Sequence, residues 1–131
     1  MELTSARIVG IGTDLAEVDR IAHSLERFGE RFTGRIYTPH EVAYVERKAN
    51  KAERYAARFA AKEAGMKAIG TGWRHGVRWQ DFEVMNLPSG APMLKLHGKA
   101  AELAEKLGTR HVHLSLTHAQ TLAMAIVILE A

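Results

Sequence analysis

The Ala-rich run Lys51–Ile69 (KAERYAARFAAKEAGMKAI) constrains the fold more than any other part of the chain. Its alanines, lysines, arginines and glutamates rank near the top of the helix-propensity scale. Tyr55, Phe59, Met66 and Ile69 recur at spacings that place them on one stripe, and Gly70-Thr71-Gly72 ends the run. A long helix with a single apolar stripe must bury that stripe against another layer.

The rest of the chain supplies strands for that layer. Residues 7–13 (RIVGIGT) are β-branched and interrupted by Gly10 and Gly12, which predicts a short strand with close backbone approach at the glycines. A helix is then expected from Asp14, with Asp14 and Glu17 spaced like a capping box and an apolar stripe running from Leu15 through Ile21, Leu25 and Phe28 to Phe32. Thr38-Pro39-His40-Glu41 is a strong start for a further helix, reaching about Lys48. Alternation over residues 80–85, turn chemistry over 86–92 and a returning run over 93–96 predict a hairpin. A short helix over 99–107 closes at Gly108, after which Val112, Leu114 and Leu116 alternate with polar residues. Residues 122–129 are apolar throughout and read as a strand buried on both faces. This order predicts an α+β fold, a mainly antiparallel sheet packed against the long helix, with residues 1–131 as a single domain. A doubly buried strand in so small a domain also points to oligomerisation.

Composition narrows the function classes. With 47% hydrophobic and 25% charged residues, the chain belongs with folded soluble proteins. The formal charge of +3, from 18 basic and 15 acidic residues, permits an acidic partner without forming a polybasic tail. Zero cysteines exclude a disulfide framework, a thiolate metal site and a cysteine nucleophile, and fit a reducing compartment. Residues 1–5 lack the features of a secretory leader, and the run 122–129 is too short to cross a bilayer, so a cytoplasmic location is expected.

Several residues are out of place for structure alone. Glu63 lies inside the apolar stripe, four residues after Phe59 and three before Met66. It is either a stripe-edge acid paired with Lys67, or a metal ligand or base. Asp14, where the first strand ends, is either a helix cap or a carboxylate pointing into a cleft. Together the two acids suit Mg²⁺, which takes oxygen ligands and commonly uses one or two carboxylates plus substrate phosphates. Arg58, Lys62, Lys67 and the Gly70-Thr71-Gly72 loop put positive charge beside Glu63, where a phosphate would fit, although the glycines alone are equally a helix stop. His111 and His113 share one strand face, with His118 just beyond the strand's end, which admits a zinc or iron site or, for His118, a phosphate donor. Arg20, Arg27 and Arg31 with Leu25 and Phe28 form either a solvated helix face or a docking surface for an acidic helix. Trp73 and Trp79 with the basic balance leave room for single-stranded nucleic acid, though no basic stripe emerges.

With these residues in view, the chain resembles the holo-[acyl-carrier-protein] synthase family of small bacterial 4′-phosphopantetheinyl transferases. The resemblance is carried by Gly10-Ile11-Gly12-Thr13-Asp14-Leu15, Val18-Asp19-Arg20-Ile21, Arg58-Phe59-Ala60-Ala61-Lys62-Glu63-Ala64, Lys67-Ala68-Ile69-Gly70-Thr71-Gly72, Gly90-Ala91-Pro92 and His113-Leu114-Ser115-Leu116-Thr117-His118. Leu114 stands where the family usually has valine, and the first helix carries a small length change before Phe32. The resemblance implies the phosphopantetheinyl transferase fold and transfer of the phosphopantetheine arm of coenzyme A to a serine of apo-acyl carrier protein. It implies release of adenosine 3′,5′-bisphosphate, in support of fatty acid biosynthesis. Asp14 and Glu63 would bind Mg²⁺ with the coenzyme A pyrophosphate, Lys67 would assist the leaving group, and Glu63, directly or through water, would accept the serine proton. Arg58, Lys67, Gly70, Thr71, Gly90, Pro92 and His118 would surround the co-substrate. Arg20, Leu25, Arg27 and Arg31 would meet the carrier protein. Homotrimers with sites between subunits are implied, without nucleic-acid or membrane partners.

Overall fold

The computed structural model describes residues 7–70 and 75–131. The long helix α4 (Lys51–Ile69) packs on a three-stranded antiparallel sheet of order β1-β5-β4, formed by β1 (Ile8–Glu17), β5 (Leu122–Glu130) and β4 (His111–His118). Ala56, Ala60, Ala61, Ala64 and Ala68 of α4 are buried, so the helix presents small side chains to its neighbours. The sheet answers with backbone: a Cβ built on Gly12 would overlap the Ala64 carbonyl oxygen, and one on Gly10 the Ala68 carbonyl oxygen. The close approach expected at these glycines is therefore made by α4.

Local and long-range preferences compete along the first third of the chain. β1 runs through Asp14 to Glu17, each residue paired with β5, and α1 (Val18–Phe28) begins only then, without a side-chain cap. The helix start expected at Asp14 is thus overridden by strand pairing, a tertiary gain that outweighs one capping bond. Gly29 at φ 53° splits the expected single helix into α1 and α2 (Glu30–Ile36), its N–H bonded to the Leu25 carbonyl at 2.9 Å. α3 (Pro39–Glu46) has the expected capping box, with Thr38 Oγ1 accepting from the Glu41 N–H at 3.2 Å and Glu41 Oε1 accepting from the Thr38 N–H at 2.9 Å.

Beyond α4, a short 3₁₀ turn (Trp79–Asp81) delays the hairpin, whose strands are β2 (Phe82–Asn86) and β3 (Pro92–Leu96). α5 (Gly98–Lys106) leads to β4. The last strand differs from its expected burial. Ala123, Ala125, Val127 and Leu129 are buried under α4, whereas Met124, Ile126 and Ile128 on the opposite face are half-exposed. β5 is the central strand, and within one chain only its inner face is covered. Ile11 and Leu15, exposed by 62% and 57%, extend the uncovered apolar face across β1.

Candidate active site

Strand parity decides which way Asp14 points. It pairs with the buried Ala125, two residues beyond Gly12, so its side chain projects toward α4. There it meets Glu63 and Lys67, which share one helix face at i and i+4. Lys67 Nζ donates to Asp14 Oδ1 at 2.8 Å and to the Thr13 carbonyl at 3.1 Å. That hydrogen bond to Asp14 holds the Lys67 ammonium above its ordinary value. Glu63 is half-buried, and burial, with the charge and hydrogen bonding of Asp14 added, raises its carboxyl against the opposing pull of Lys67. Glu63 also lines a cleft of about 1030 Å³ that it shares with Arg20, Ile21, His23, Phe32 and Phe59. Two acids and a lysine therefore converge at the edge of an open cleft floored by α1 and α4.

A second, smaller cavity of about 160 Å³ lies elsewhere on α4, and no described residue lines both it and the large cleft. Arg58, at 4% exposure, donates through Nη2 to Asn86 Oδ1 at 3.0 Å and lies 4.6 Å from the Tyr44 ring centroid. Its buried Nε has no hydrogen-bond partner among the described residues. Gly90 and Pro92 from the hairpin and His118 from β4 line the same cavity. Asn86 Nδ2 donates to the Gly90 carbonyl at 3.2 Å, and His118 Nδ1 lies 2.9 Å from Glu53 Oε1. Arg58 and Glu63 are five positions apart on the helix, a turn of roughly 140° about the axis, so the two faces of α4 carry different chemistry.

The structure thus divides the residues singled out in the sequence. Asp14, Glu63 and Lys67 form one group; Arg58, Gly90, Pro92 and His118 form the other. Gly70 is the exposed left-handed C-cap of α4, near the Lys67 end, and Thr71 lies outside the described residues, as does Trp73. Lys62 does not join the charge beside Glu63: it is wholly buried and donates to Glu41 Oε1 at 2.7 Å and to the Phe82 carbonyl. Adjacent helix residues project about 100° apart, so Lys62 faces α3 and the hairpin while Glu63 faces the cleft. His118 ends β4 on the face toward α4, whereas His111 and His113 occupy the opposite face, so the three histidines do not gather. Among the described residues no group of three or more His, Asp or Glu side chains is placed to hold a metal, which leaves Asp14 and Glu63 as a two-carboxylate pair.

Arg20 borders the large cleft. Arg31 borders an adjoining cleft of about 700 Å³ with Arg35, Phe28 and Trp79. Arg27 is exposed, its guanidinium 5.5 Å from the Phe28 ring centroid, and Leu25 is half-buried against the core. Sequence reasoning missed Tyr44, Glu53, Arg54, Asn86 and Arg35. Asn86 had been legible only as turn chemistry, and the others carry no local signature.

Comparison with known proteins places this geometry in context. The family model described as the 4′-phosphopantetheinyl transferase superfamily matches residues 10–127. The chain is 73% identical over 123 residues, 94% of its own length and 98% of the relative's, to the holo-[acyl-carrier-protein] synthase of Solibacter usitatus. Among solved structures it is similar to that of Neisseria meningitidis holo-[acyl-carrier-protein] synthase, with a TM-score of 0.87 and 34% identity over 95% of this chain and 100% of the other. A holo-(acyl-carrier-protein) synthase of Bacillus anthracis, solved in complex with CoA (3′,5′-ADP), gives a TM-score of 0.78 and 37% identity over 95% and 97% of the two chains.

Proposed function

We infer that this chain, which belongs to the 4′-phosphopantetheinyl transferase superfamily, transfers the 4′-phosphopantetheine arm of coenzyme A to a serine of apo-acyl carrier protein. The observation that carries this reading is the meeting of Asp14, Glu63 and Lys67 beside the arginine-bordered cleft. The serine oxygen forms a bond to the phosphorus that carries pantetheine. The bond from that phosphorus to the bridging oxygen breaks, and adenosine 3′,5′-bisphosphate leaves.

The donor set fits Mg²⁺. Burial and the neighbouring Asp14 carboxylate raise the Glu63 carboxyl, an arrangement that a divalent cation would relieve, and Mg²⁺ commonly takes one or two carboxylates together with phosphate oxygens and water. Asp14 and Glu63 would hold the ion, which when bound would supply positive charge to offset that of the pyrophosphate and the leaving phosphate. Lys67, on the same helix face one turn later, supplies a further positive group toward the leaving oxygen. Glu63, with a carboxyl raised above its ordinary value and open to the cleft, takes the serine proton directly or through water.

The separation of the two groups on α4 supports an active site assembled between subunits. In this reading Asp14, Glu63 and Lys67 of one copy act on a coenzyme A whose nucleotide end lies against Arg58, Gly90, Pro92 and His118 of a neighbour. The apolar outer face of Ile11, Leu15, Ile126 and Ile128 supports a homotrimer that covers it. Arg20, Arg27 and Arg31, with Leu25 beneath, receive an acidic helix of the carrier protein. Among the described residues no helix is long and apolar enough to cross a membrane; we place the enzyme in the cytoplasm, serving fatty acid biosynthesis, with residues 1–131 as one domain.

The test is release of adenosine 3′,5′-bisphosphate from coenzyme A in the presence of Mg²⁺. Release that requires apo-carrier protein is expected. Release that ignores the carrier, or none at all, contradicts the reading.

A further inference from the structure

Glu53 is an acid in the wrong place for an anion-binding cavity. It lies in the first turn of α4 beside Arg54, and Arg54 and Arg58 both line the small cavity. A carboxylate there opposes a bound phosphate unless its charge is directed elsewhere. Arg54 Nε is bonded to Asn50 Oδ1 at 2.8 Å, and the Glu53 carboxylate is turned to His118 Nδ1 at 2.9 Å. The Glu53 side chain is 23% exposed and that of His118 29%, and the pair lies at the surface end of β4.

An ionised carboxylate only accepts, so Nδ1 of His118 carries a hydrogen and donates it to Glu53. The ring is then fixed in orientation, and Nε2 is the nitrogen left for an occupant of the cavity that His118 lines. We propose that Glu53 is a positioning residue for the transfer reaction: it holds His118 as the Nδ1–H tautomer and so presents the Nε2 lone pair as an acceptor to a hydroxyl or amino group at the nucleotide end of coenzyme A, leaving the phosphate to Arg54 and Arg58. This rests on the transferase reading above and extends it to a residue that never touches the co-substrate. The acid contributes to binding through its neighbour and not by contact.

The test is a double-mutant cycle on the full-length protein. Glu53→Ala should raise the KM for coenzyme A about tenfold, the size of one lost charge-assisted hydrogen bond, with kcat within about twofold of wild type. Glu53→Gln keeps an oxygen that accepts from Nδ1–H and should restore most of that loss. The double variant Glu53→Ala/His118→Ala should be no worse than His118→Ala alone, because Glu53 acts only through the histidine. Nitrogen NMR of the wild-type protein without coenzyme A should show the Nδ1–H tautomer of His118, and Glu53→Ala should lose that preference. Additive effects, a Gln variant as impaired as the Ala variant, or an unchanged tautomer would each overturn the proposal. Wild-type transfer activity reports separately on the reaction, so failure of the two readings is distinguishable.

Discussion

Asp14 sits in a strand, and that position separates the roles its type allows. It caps no helix, so Asp14→Asn should leave stability within about 1 kcal/mol of wild type while lowering transfer by about a hundredfold or more. Steady-state rates and urea unfolding on the same preparation check both halves. Glu63 carries a prediction of opposite sign for stability. Its folded-state carboxyl lies above the ordinary value, chiefly through burial and then through Asp14. The native chain therefore binds that proton more readily than the unfolded chain, and stability is lost as pH rises through this window. Without Mg²⁺, Glu63→Gln should melt at a higher temperature than wild type at about pH 7.5, be inactive, and lose its advantage below roughly pH 4, under the unfolded carboxylate value. Equal melting temperatures across that range would show that Glu63 is not strained by its site. Glu63 was conspicuous in the sequence as a carboxylate inside an apolar stripe, whereas Asp14 read equally as a helix cap until strand pairing turned it toward Glu63 and Lys67. Lys62 was misjudged because adjacency in sequence says nothing about which side of a helix a residue faces. Glu53 and Tyr44 gave no signal, since each meets its partner, His118 or Arg58, only through the fold.

Packing at the scale of elements turns on the approach of α4 to β1. Gly12→Ala places a methyl group against the Ala64 carbonyl, where backbone must yield, and should destabilise by about 3 kcal/mol. Gly34, inside α2 with open space around it, is the control, where alanine should be neutral or stabilising. Comparable losses at both glycines in denaturant titrations would refute the close-approach explanation. The buried pair Lys62–Glu41 joins α4 to α3, and Glu41 Oε2 also accepts from the Val84 N–H at 2.8 Å, tying in the hairpin. Lys62→Ala strands the Glu41 carboxylate and should cost about 3–5 kcal/mol, measured by the same titrations. Elements with self-contained signals were readable in advance: α4 from propensity and stripe, and α3 from its capping box. Those decided by partners were not. β1 outruns its apparent end because β5 pairs with every residue to Glu17, and the uniform run of β5 conceals that one chain covers only its inner face.

At the scale of the whole molecule, the Asp14–Glu63–Lys67 group of one copy is proposed to join the Arg58–His118 cavity of another. If they meet between subunits, a chain with Glu63→Ala still lends His118 to a neighbour carrying His118→Ala, whose own Glu63 is intact. Co-expression of the two variants with different tags should recover part of the wild-type activity in the mixed assembly, and light scattering should give three chains per particle. Ile126→Arg, on the uncovered sheet face, should dissociate that assembly and abolish transfer together. The transfer itself is tested most directly by intact mass spectrometry of apo-carrier protein incubated with this chain, coenzyme A and Mg²⁺. Wild type should add one phosphopantetheine to the carrier serine, and Asp14→Asn or Glu63→Gln should leave the mass unchanged. A wild-type chain that adds nothing, or variants that add the arm at the wild-type rate, would contradict the assignment of Asp14 and Glu63 to the reacting centre.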